Sequence, residues 1–331
     1  MQYCTLGRSN LSVSRVALGC WAFAGGPYWG DRDEKQSIEI IRAALDWGVN
    51  FFDTAEGYGS GYSEEIVGKA LVGRRQEVVI ATKASSSHLA YEDLLQACEA
   101  SLRRLQTDYI DLYQIHWPNR NVPLEETMRA LEHLRDQGKI CAIGVSNFGV
   151  GDLTDLLRVG RAESNQLPYS LLWRAIEYEI QPKCVENDIS ILCYSPLAQG
   201  LLTGRYTKPD EVPEGRARSR WFSSRRPLAR HGEPGCETET FRAIRRIRQI
   251  ADELGQPMAR LGLAWLLHQP GVASVLAGAG RIEHLQSNVQ AASLSLSPDI
   301  IERLAQATDD LKARLGPNPD MWQSEAESRY R

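Results

Sequence analysis

The stretch that decides the fold reads Asn50-Phe-Phe-Asp53-Thr-Ala-Glu-Gly-Tyr58-Gly-Ser-Gly-Tyr-Ser63-Glu-Glu65. A short apolar run typical of a β-strand ends on Asp53, a loop with three glycines carries Tyr58, and Ser63 opens a helical pattern. A carboxylate at a strand end and a tyrosine on the following loop suit a site better than a core. The stretch therefore predicts one strand–helix unit that carries part of a functional site.

The same strand–helix unit recurs along the chain. After a predicted hairpin over residues 1–16, short apolar strands alternate with helical patterns eight times, as in a parallel sheet covered on both faces. The count favours a single α/β domain over residues 1–331, a (β/α)8 TIM barrel. A doubly wound sheet is the competitor, but its Gly-x-Gly-x-x-Gly turn is missing after the first strand. The predicted barrel strands are 16–19, 51–52, 78–82, 109–115, 140–145, 163–166, 189–194 and 272–277.

Two segments are additional to this strand–helix repeat. Residues 195–238 form a long loop after the seventh strand, with seven arginines, and residues 299–331 form a C-terminal helix, predicted over 299–315, and a tail. Long loops in compact domains are usually functional or disordered. The arginines could be solvated, clamp a cofactor or an anionic substrate, or bind nucleic acid. The acidic composition argues against nucleic acid.

The composition is that of a soluble globular protein, with 43% apolar residues, 24% charged residues and a formal net charge of −4. Such a chain has no general attraction to nucleic acid or to an anionic membrane. No apolar run could span a bilayer and no secretion signal is visible, so we expect a cytoplasmic protein. The seven cysteines lack zinc spacing and are interpreted as reduced thiols, with no metal site. Nothing implies an oligomer.

Three predicted strand ends carry polar side chains. Asp53 ends the second barrel strand, Lys83 the third and His116 the fourth, and Tyr58 lies on the loop after the second. Reactive groups of this barrel fold sit at the carboxyl ends of strands. Each residue has an ordinary interpretation too, since the Asp could cap a turn, the Lys could be solvated and the His could be structural. Because these residues lie at the same end of consecutive strands, together they indicate a catalytic site.

The four side chains fit one chemistry. A buried ammonium beside a phenol stabilises the phenolate, so we expect Lys83 to lower the pKa of Tyr58 and make it a better acid. Asp53 would hold Lys83 charged, and a neutral His116 would orient a carbonyl oxygen. The expected partner is a small carbonyl or alcohol substrate.

Several motifs occur in a characteristic order: Asp53-Thr-Ala-Glu-Gly-Tyr58-Gly, Ala81-Thr-Lys83, the run from Asp108 to His116-Trp-Pro, and Gly144-Val-Ser-Asn-Phe148. Together they resemble the aldo-keto reductase superfamily, in its bacterial and plant-type branch, which is also similar to potassium-channel β-subunits. The resemblance spans most of the chain. It implies a TIM barrel, a pyridine-nucleotide-dependent carbonyl reductase, and the tetrad above as catalytic residues with Tyr58 as general acid.

The resemblance also implies contacts to a nicotinamide cofactor. Ser146, Asn147 and Gln166 would hold the carboxamide, although the first two could instead cap a helix. Tyr194 would stack on the ring, or could be core. The residues that follow Tyr194 in the sequence resemble the family's pyrophosphate-binding loop. Its predicted cofactor contacts are Ser195, Leu197, Gln199, Gly200 and Arg205.

The adenosine end is predicted after the eighth strand, where Gly278-Ala-Gly280-Arg281 precedes a helix. Family members that prefer NADPH commonly carry a basic residue near the position of Gly280. Here Arg281 and His284 follow instead, and Asn288 matches an adenine-contacting asparagine. NADPH is the favoured cofactor and NADH is possible.

Four tryptophans are candidates to wall the substrate pocket, although a large aromatic side chain is more often core. They are Trp21, Trp29, Trp117 and Trp221.

We therefore predict an NAD(P)H-dependent reductase of aldehydes or ketones that also oxidises alcohols in reverse. Two alternatives stay open. One is a nicotinamide-binding protein that senses redox state and regulates a partner, and the other is an NAD-dependent dehydrogenase of sugars or cyclitols.

Overall fold

A closed barrel of eight parallel strands forms the body of this chain, whose computed structural model describes residues 1–26 and 29–331. Two further strands pair antiparallel as a hairpin ahead of it. The predicted TIM barrel with an N-terminal hairpin is confirmed. The hairpin strands are β1 (Tyr3–Thr5) and β2 (Ser12–Ser14), and the barrel strands are β3 (Val16–Gly19), β4 (Phe51–Asp53), β5 (Val79–Ala84), β6 (Ile110–Ile115), β7 (Ile140–Ser146), β8 (Ser164–Pro168), β9 (Ser190–Tyr194) and β10 (Val272–Ala277).

Helices alternate with the barrel strands. Asp33 caps the first of them, because its carboxylate accepts hydrogen bonds from two amides of the first turn that follows it. Within the described ranges, no helix is both long and apolar enough to cross a membrane. The helices are α1 (Glu34–Asp46), α2 (Tyr62–Ala70), α3 (Tyr91–Leu105), α4 (Leu124–Asp136), α5 (Val150–Val159), α6 (Ile180–Glu186), α7 (Glu237–Glu253), α8 (Met258–Leu267), α9 (Ile282–Ala291), α10 (Pro298–Gln306) and α11 (Asp309–Leu315).

Two differences from the sequence prediction concern helices. The predicted helix over 299–315 is divided into α10 and α11, because the Ala305 carbonyl accepts hydrogen bonds from Arg174 Nη1 at 2.8 Å and from Thr308 Oγ1 at 3.0 Å. A continuous helix would use that carbonyl for the amide four residues on. The sequence also left the region of α7 and α8 unassigned.

The hairpin closes the amino-terminal end of the barrel. Leu6 and Val13 are fully buried and pack into the apolar cluster that fills the barrel interior, which includes Phe51 and Leu112. The amide of Gly7 donates to Ser190 Oγ at 2.8 Å, at the first residue of β9. The opposite end, where the strands finish, is therefore the end that can carry a site.

The strand register aligns polar side chains at that carboxyl-terminal end. Lys83 on β5 lies opposite Gln114 on β6, which lies opposite Gly144 on β7. A Cβ on Gly144 would lie 2.8 Å from Gln114 Cγ and from Ser164 Oγ, closer than side-chain atoms approach. Glycine at this position gives Gln114 its space inside the barrel.

Candidate active site

Lys83 contacts two other members of the predicted tetrad, Asp53 and Tyr58. Its Nζ donates to Asp53 Oδ1 at 2.7 Å, to the Thr54 carbonyl at 2.7 Å and to Tyr58 Oη at 3.3 Å. These bonds use all three ammonium donors. Lys83 is 0% exposed and Asp53 is 3% exposed. A buried charge of this kind is tolerated because it is paired and fully hydrogen-bonded.

His116 completes the group beside the phenol. Its ring centroid lies 5.7 Å from that of Tyr58, with the rings nearly perpendicular. Burial disfavours the imidazolium and the positive Lys83 repels it, which together lower the pKa of His116 to about 3. The imidazole is therefore neutral at physiological pH, as predicted, and able to donate one N–H to an oxygen above Tyr58.

The pKa of Tyr58 departs from the sequence prediction. Burial of the phenol raises its pKa above the ordinary value, and the negative Asp53 adds to this, whereas Lys83 acts in the opposite direction. Lys83 thus favours the phenolate, but the burial effect is larger. The expectation that the pKa of Tyr58 is lowered is wrong for this structure, and the phenol keeps its proton throughout the neutral range.

The second oxygen of Asp53 is held by two amides. Gln166 Nε2 donates to Asp53 Oδ2 at 2.8 Å and Gln114 Nε2 donates to it at 3.2 Å, and the two glutamines are themselves 3.3 Å apart. Sequence analysis missed Gln114. A signal was available, because a polar residue two positions before His116 on an apolar strand lies on the same strand face. Asp53 therefore connects the tetrad to a predicted nicotinamide contact.

The loop that carries Tyr58 rests on a second buried carboxylate. Glu64 is 0% exposed, pairs with Arg104 Nε at 2.6 Å and accepts from Thr82 Oγ1 at 2.5 Å. Arg104 packs on Gly61, where a Cβ would lie 2.4 Å from Arg104 Cδ and where φ is +96°. Gly61 thus meets both a steric and a conformational requirement at the start of α2. These supporting residues were also missed by sequence analysis.

Ser146 and Asn147 face the site rather than capping a helix, because Gly149 precedes α5. Ser146 Oγ donates to the Gln166 carbonyl and Asn147 Nδ2 donates to the His116 carbonyl, each at 3.0 Å. Asn147 has a φ of +62° although it is not glycine. Strained backbone of this kind often marks a functional site.

Tyr194 and the tail meet at Asn147. Tyr194 Oη donates to Asn147 Oδ1 at 3.0 Å, and Tyr330 Oη donates to the same oxygen at 2.5 Å. The ring of Trp322 is parallel to that of Tyr194, with 6.3 Å between centroids. The tail therefore reaches the predicted nicotinamide contacts, which the sequence did not reveal.

The loop after β9 has the backbone of an anion site. Three of its non-glycine residues have positive φ, and the Nε2 atom of Gln199 is buried without a hydrogen-bond partner among the described residues. Turns with successive left-handed residues form concavities of amides that bind anions. Arg205 is exposed and follows the first ten residues of this loop. Within residues 195–204 the residues with positive φ are Ser195, Ala198, Gln199, Gly200 and Gly204, and Leu197 lies among them.

A basic group that was not predicted lies at the adenosine end. A Cβ on Gly280 would lie 3.1 Å from Arg32 Nη1, so the guanidinium of Arg32 fills the space beside this glycine. Arg281 Nη2 lies 3.0 Å from His284 Nε2. Asn288 Nδ2 donates to the carbonyl of Gly278 at 3.2 Å.

The tryptophans that were predicted to line the substrate pocket lie in different surroundings. Trp21 stacks on Tyr58 with 5.9 Å between ring centroids and meets the edge of Trp29 at 5.3 Å. Trp117 directly follows His116. Trp221, in contrast, is 0% exposed and its Nε1 donates to the Leu172 carbonyl at 2.9 Å. Trp221 therefore belongs to the core, which corrects the prediction that it walls the pocket.

Two cavities are associated with this end of the barrel. The smaller, about 210 Å³, lies beside Trp21 and Trp117. The larger, about 380 Å³, lies between α4 and α5 near Arg120 and Arg158, and no tetrad residue lines either cavity. The part of the chain that the structure describes contains no group of three or more His, Cys, Asp or Glu side chains able to hold a metal ion.

A family model for the aldo/keto reductase family matches residues 15–309, nearly the whole chain. The chain belongs to the aldo/keto reductase family. It is 38% identical to aldo-keto reductase YhdN of Bacillus subtilis over 87% of each chain, and 36% identical to the NADH-specific methylglyoxal reductase of Escherichia coli over 90% of this chain and 95% of that protein. It is also 33% identical to a probable voltage-gated potassium channel subunit beta of Arabidopsis thaliana, over 92% of this chain and 96% of that one.

Solved aldo/keto reductase structures agree with the fold. An aldo/keto reductase from Klebsiella pneumoniae in complex with NADP and acetate has a TM-score of 0.72 and 32% identity, over 95% of both chains. The glycerol dehydrogenase of Gluconobacter oxydans has a TM-score of 0.78 and 31% identity, over 96% of this chain and 97% of that one. As an aldo/keto reductase, this protein is an oxidoreductase that acts on carbonyl and alcohol groups.

Proposed function

We propose that the protein is an NAD(P)H-dependent carbonyl reductase in which Tyr58 is the general acid. The observation that carries the proposal is the contact of Tyr58 Oη with Lys83 Nζ at 3.3 Å, next to a neutral His116. A protonated phenol beside a buried ammonium can release its proton to an oxygen as negative charge develops there.

Each member of the tetrad has a distinct part in this reaction. Tyr58 donates its proton to the carbonyl oxygen, and Lys83 stabilises the phenolate that remains. Asp53 keeps Lys83 charged and in place. The neutral imidazole of His116 donates a hydrogen bond that orients the carbonyl. In the reverse direction the phenolate accepts the proton of an alcohol.

The residues present fit a nicotinamide cofactor, which supplies the hydride when it is bound. Ser146, Asn147 and Gln166 would hold its carboxamide, and Tyr194 would bind its ring. The unpartnered amide of Gln199 and the positive φ values of its loop support a pyrophosphate site there.

We favour NADPH, because the adenosine end carries two arginines. Arg32 fills the space beside Gly280 and Arg281 follows it, so a 2′-phosphate would find cationic partners. The solved Klebsiella pneumoniae relative holds NADP, whereas the Escherichia coli relative is NADH-specific. The family itself therefore includes both preferences.

The test is turnover of 4-nitrobenzaldehyde with NADPH by Tyr58→Phe, with Tyr62→Phe as the matched control. Tyr62 lies four residues on, and its hydroxyl bonds to Glu34 at 2.9 Å. We expect Tyr58→Phe to bind NADPH, followed by fluorescence, with unchanged affinity and to lose at least about 100-fold in kcat, the size typical of general acid catalysis. Undiminished turnover by Tyr58→Phe would refute the proposal.

A second candidate is a nicotinamide-binding protein with slow cofactor exchange that signals redox state. It is favoured by the tail contact of Tyr330 with Asn147, which covers the predicted carboxamide site. A potassium channel subunit beta is among the relatives. Cofactor that stays bound through gel filtration, with turnover limited by its release, would favour this candidate over a rapid reductase.

A further inference from the structure

The small cavity beside Trp21 has an unusual lining. It measures about 210 Å³, below the roughly 300–1,000 Å³ of typical ligand sites, so it suits a compact substrate. No tetrad residue lines the cavity itself, but Trp21, one of its walls, also stacks on Tyr58, so the indole connects the cavity with the phenol. Most of the remaining lining is aromatic or cationic. These residues are Trp117, Trp322, Arg218, Arg230 and Arg329.

The three arginines are not equivalent. Arg329 is paired with the buried Asp320 through two hydrogen bonds of 2.7 and 2.8 Å and lies 3.8 Å above the ring of Trp117. Arg329 is therefore neutralised and serves as a fixed wall. Arg218 lies over Trp322, at 5.8 Å from the ring centroid.

Arg230 carries the unbalanced charge. Its guanidinium has no hydrogen bond or ion pair to a residue that the structure describes, and none of the residues lining the cavity is acidic. A cleft lined by one sign of charge, with low-dielectric aromatic walls, concentrates its electric field. The cavity is thus attractive to a small anion.

The arginine that approaches the predicted pyrophosphate loop is a different one. A Cβ on Gly200 would lie 3.0 Å from Arg216 Nη1. Neither Gly200 nor Arg216 lines the cavity, whereas Arg230 does. The charge of Arg230 is therefore available to the substrate rather than to cofactor phosphates.

We propose that the preferred substrates are small aldehydes or ketones that also carry an anionic group, a carboxylate or a phosphate. The carbonyl would lie at Tyr58 and the anion at Arg230, with the tryptophans enclosing the part between them. This assignment rests on the proposed reductase function and adds a substrate class to it. Reduction proceeds as before, so the anionic group binds and does not react.

The experiment compares pairs of carbonyl compounds that differ in charge. The carboxylate pair is 4-carboxybenzaldehyde and its methyl ester, and the phosphate pair is glyceraldehyde 3-phosphate and glyceraldehyde. We expect the wild type to prefer the anionic member at least about tenfold in kcat/KM, since one charge-assisted contact is worth that much. The preference should shrink as NaCl is raised, because salt screens an exposed cation.

The variant is Arg230→Gln, with Arg225→Gln as the control on the same loop. Arg225 is exposed and does not line the cavity. Arg230→Gln should remove most of the preference through a higher KM for the anionic aldehyde, while the neutral aldehyde keeps its kcat/KM. Arg225→Gln should behave as wild type. The better of the two anions identifies whether carboxylate or phosphate is recognised.

A binding measurement separates this inference from the reductase function. Terephthalate cannot be reduced by this chemistry, and it should quench tryptophan fluorescence in the wild type and bind more weakly to Arg230→Gln. If no aldehyde is reduced but terephthalate binds in this way, the reductase function fails and the anion site stands. Equal kcat/KM for charged and neutral aldehydes would overturn the inference, and so would a higher KM for NADPH in Arg230→Gln with the charge preference intact.

Discussion

The hydroxyl of Tyr330 donates a hydrogen bond of 2.5 Å to Oδ1 of Asn147, although 183 positions of the chain separate the two residues. The same oxygen accepts from Tyr194, and an amide oxygen offers two lone pairs. Asn147 Oδ1 is therefore fully occupied by the protein itself. Any ligand amide that bonds to this oxygen must replace one of the two tyrosines.

This leads to a prediction for Tyr330→Phe. Removing the hydroxyl frees one lone pair of Asn147, so NADPH should bind about two- to tenfold more tightly, which corresponds to one net hydrogen bond. Fluorescence titration with NADPH measures it. Tyr178→Phe is the control, because that hydroxyl contacts the Lys312 carbonyl at an exposed position. Weaker NADPH binding by Tyr330→Phe would show instead that the tail hydroxyl helps to hold the cofactor.

Breaking the buried ion pair should destabilise the fold as well as the reaction. Asp53→Asn leaves Lys83 charged without a counter-ion at 0% exposure, and such losses cost about 3–5 kcal/mol of unfolding free energy. Urea unfolding followed by circular dichroism measures the change. Asp46→Asn removes the exposed ion pair with Arg74 and should leave the unfolding midpoint almost unchanged. A midpoint for Asp53→Asn equal to that of Asp46→Asn would contradict the prediction.

The low pKa of His116 predicts a loss of stability in mild acid. Between about pH 6.5 and the native pKa of about 3, the unfolded chain binds a proton at this residue that the folded chain does not. The free energy of unfolding should therefore fall as the pH falls through this window, by up to about 1.4 kcal/mol per pH unit from His116 alone.

Urea unfolding at pH 7, 6 and 5 tests this dependence. Other groups contribute equally to the wild type and to a histidine variant, so His116→Asn should show a smaller loss of stability between pH 7 and pH 5. His133→Asn on α4 is the control and should follow the wild type. Identical pH dependences for His116→Asn and the wild type would show that folding does not lower the pKa of His116.

Arg32 is expected to set the cofactor preference. Its Nε atom is buried without a hydrogen-bond partner among the described residues, and its guanidinium fills the space at Gly280. Arg32→Met should therefore lower the ratio of NADPH affinity to NADH affinity by about tenfold, the value of one charged contact. Lys35→Met, an exposed cation on α1, should leave the ratio unchanged. Direct titration of both cofactors measures it, and an unchanged ratio for Arg32→Met would exclude Arg32 from the 2′-phosphate site.

The barrel could be predicted because its strands are short, apolar and regularly spaced. Predicted bounds such as 16–19 for β3 and 140–145 for β7 agree with the structure within one residue. Strand ends then bring Asp53, Lys83 and His116 together, since all strands of a parallel barrel finish on one face. This part of the fold depends on periodic patterns of apolar residues, and such patterns can be recognised within a short stretch of sequence.

What could not be predicted depends on contacts between distant segments. The strand face of Gln114 could be inferred from its spacing to His116, but its hydrogen bond to Asp53 could not. The tail has no periodic pattern, so neither Trp322 nor Tyr330 could be assigned to the site. The pKa of Tyr58 was predicted in the wrong direction because the sequence reveals the neighbouring charge but not the extent of burial.

The hairpin at the amino-terminal end of the barrel has a kinetic consequence. With Leu6 and Val13 packed into that end, small molecules reach Tyr58 from the end where the long loop and the tail meet. Ser146 and Gln166 are buried, at no more than 3% exposure, and do not line the cavity beside Trp322. Under the proposed function we expect the two ligands to share one entrance and therefore to bind in a compulsory order, in which the first to enter is the last to leave.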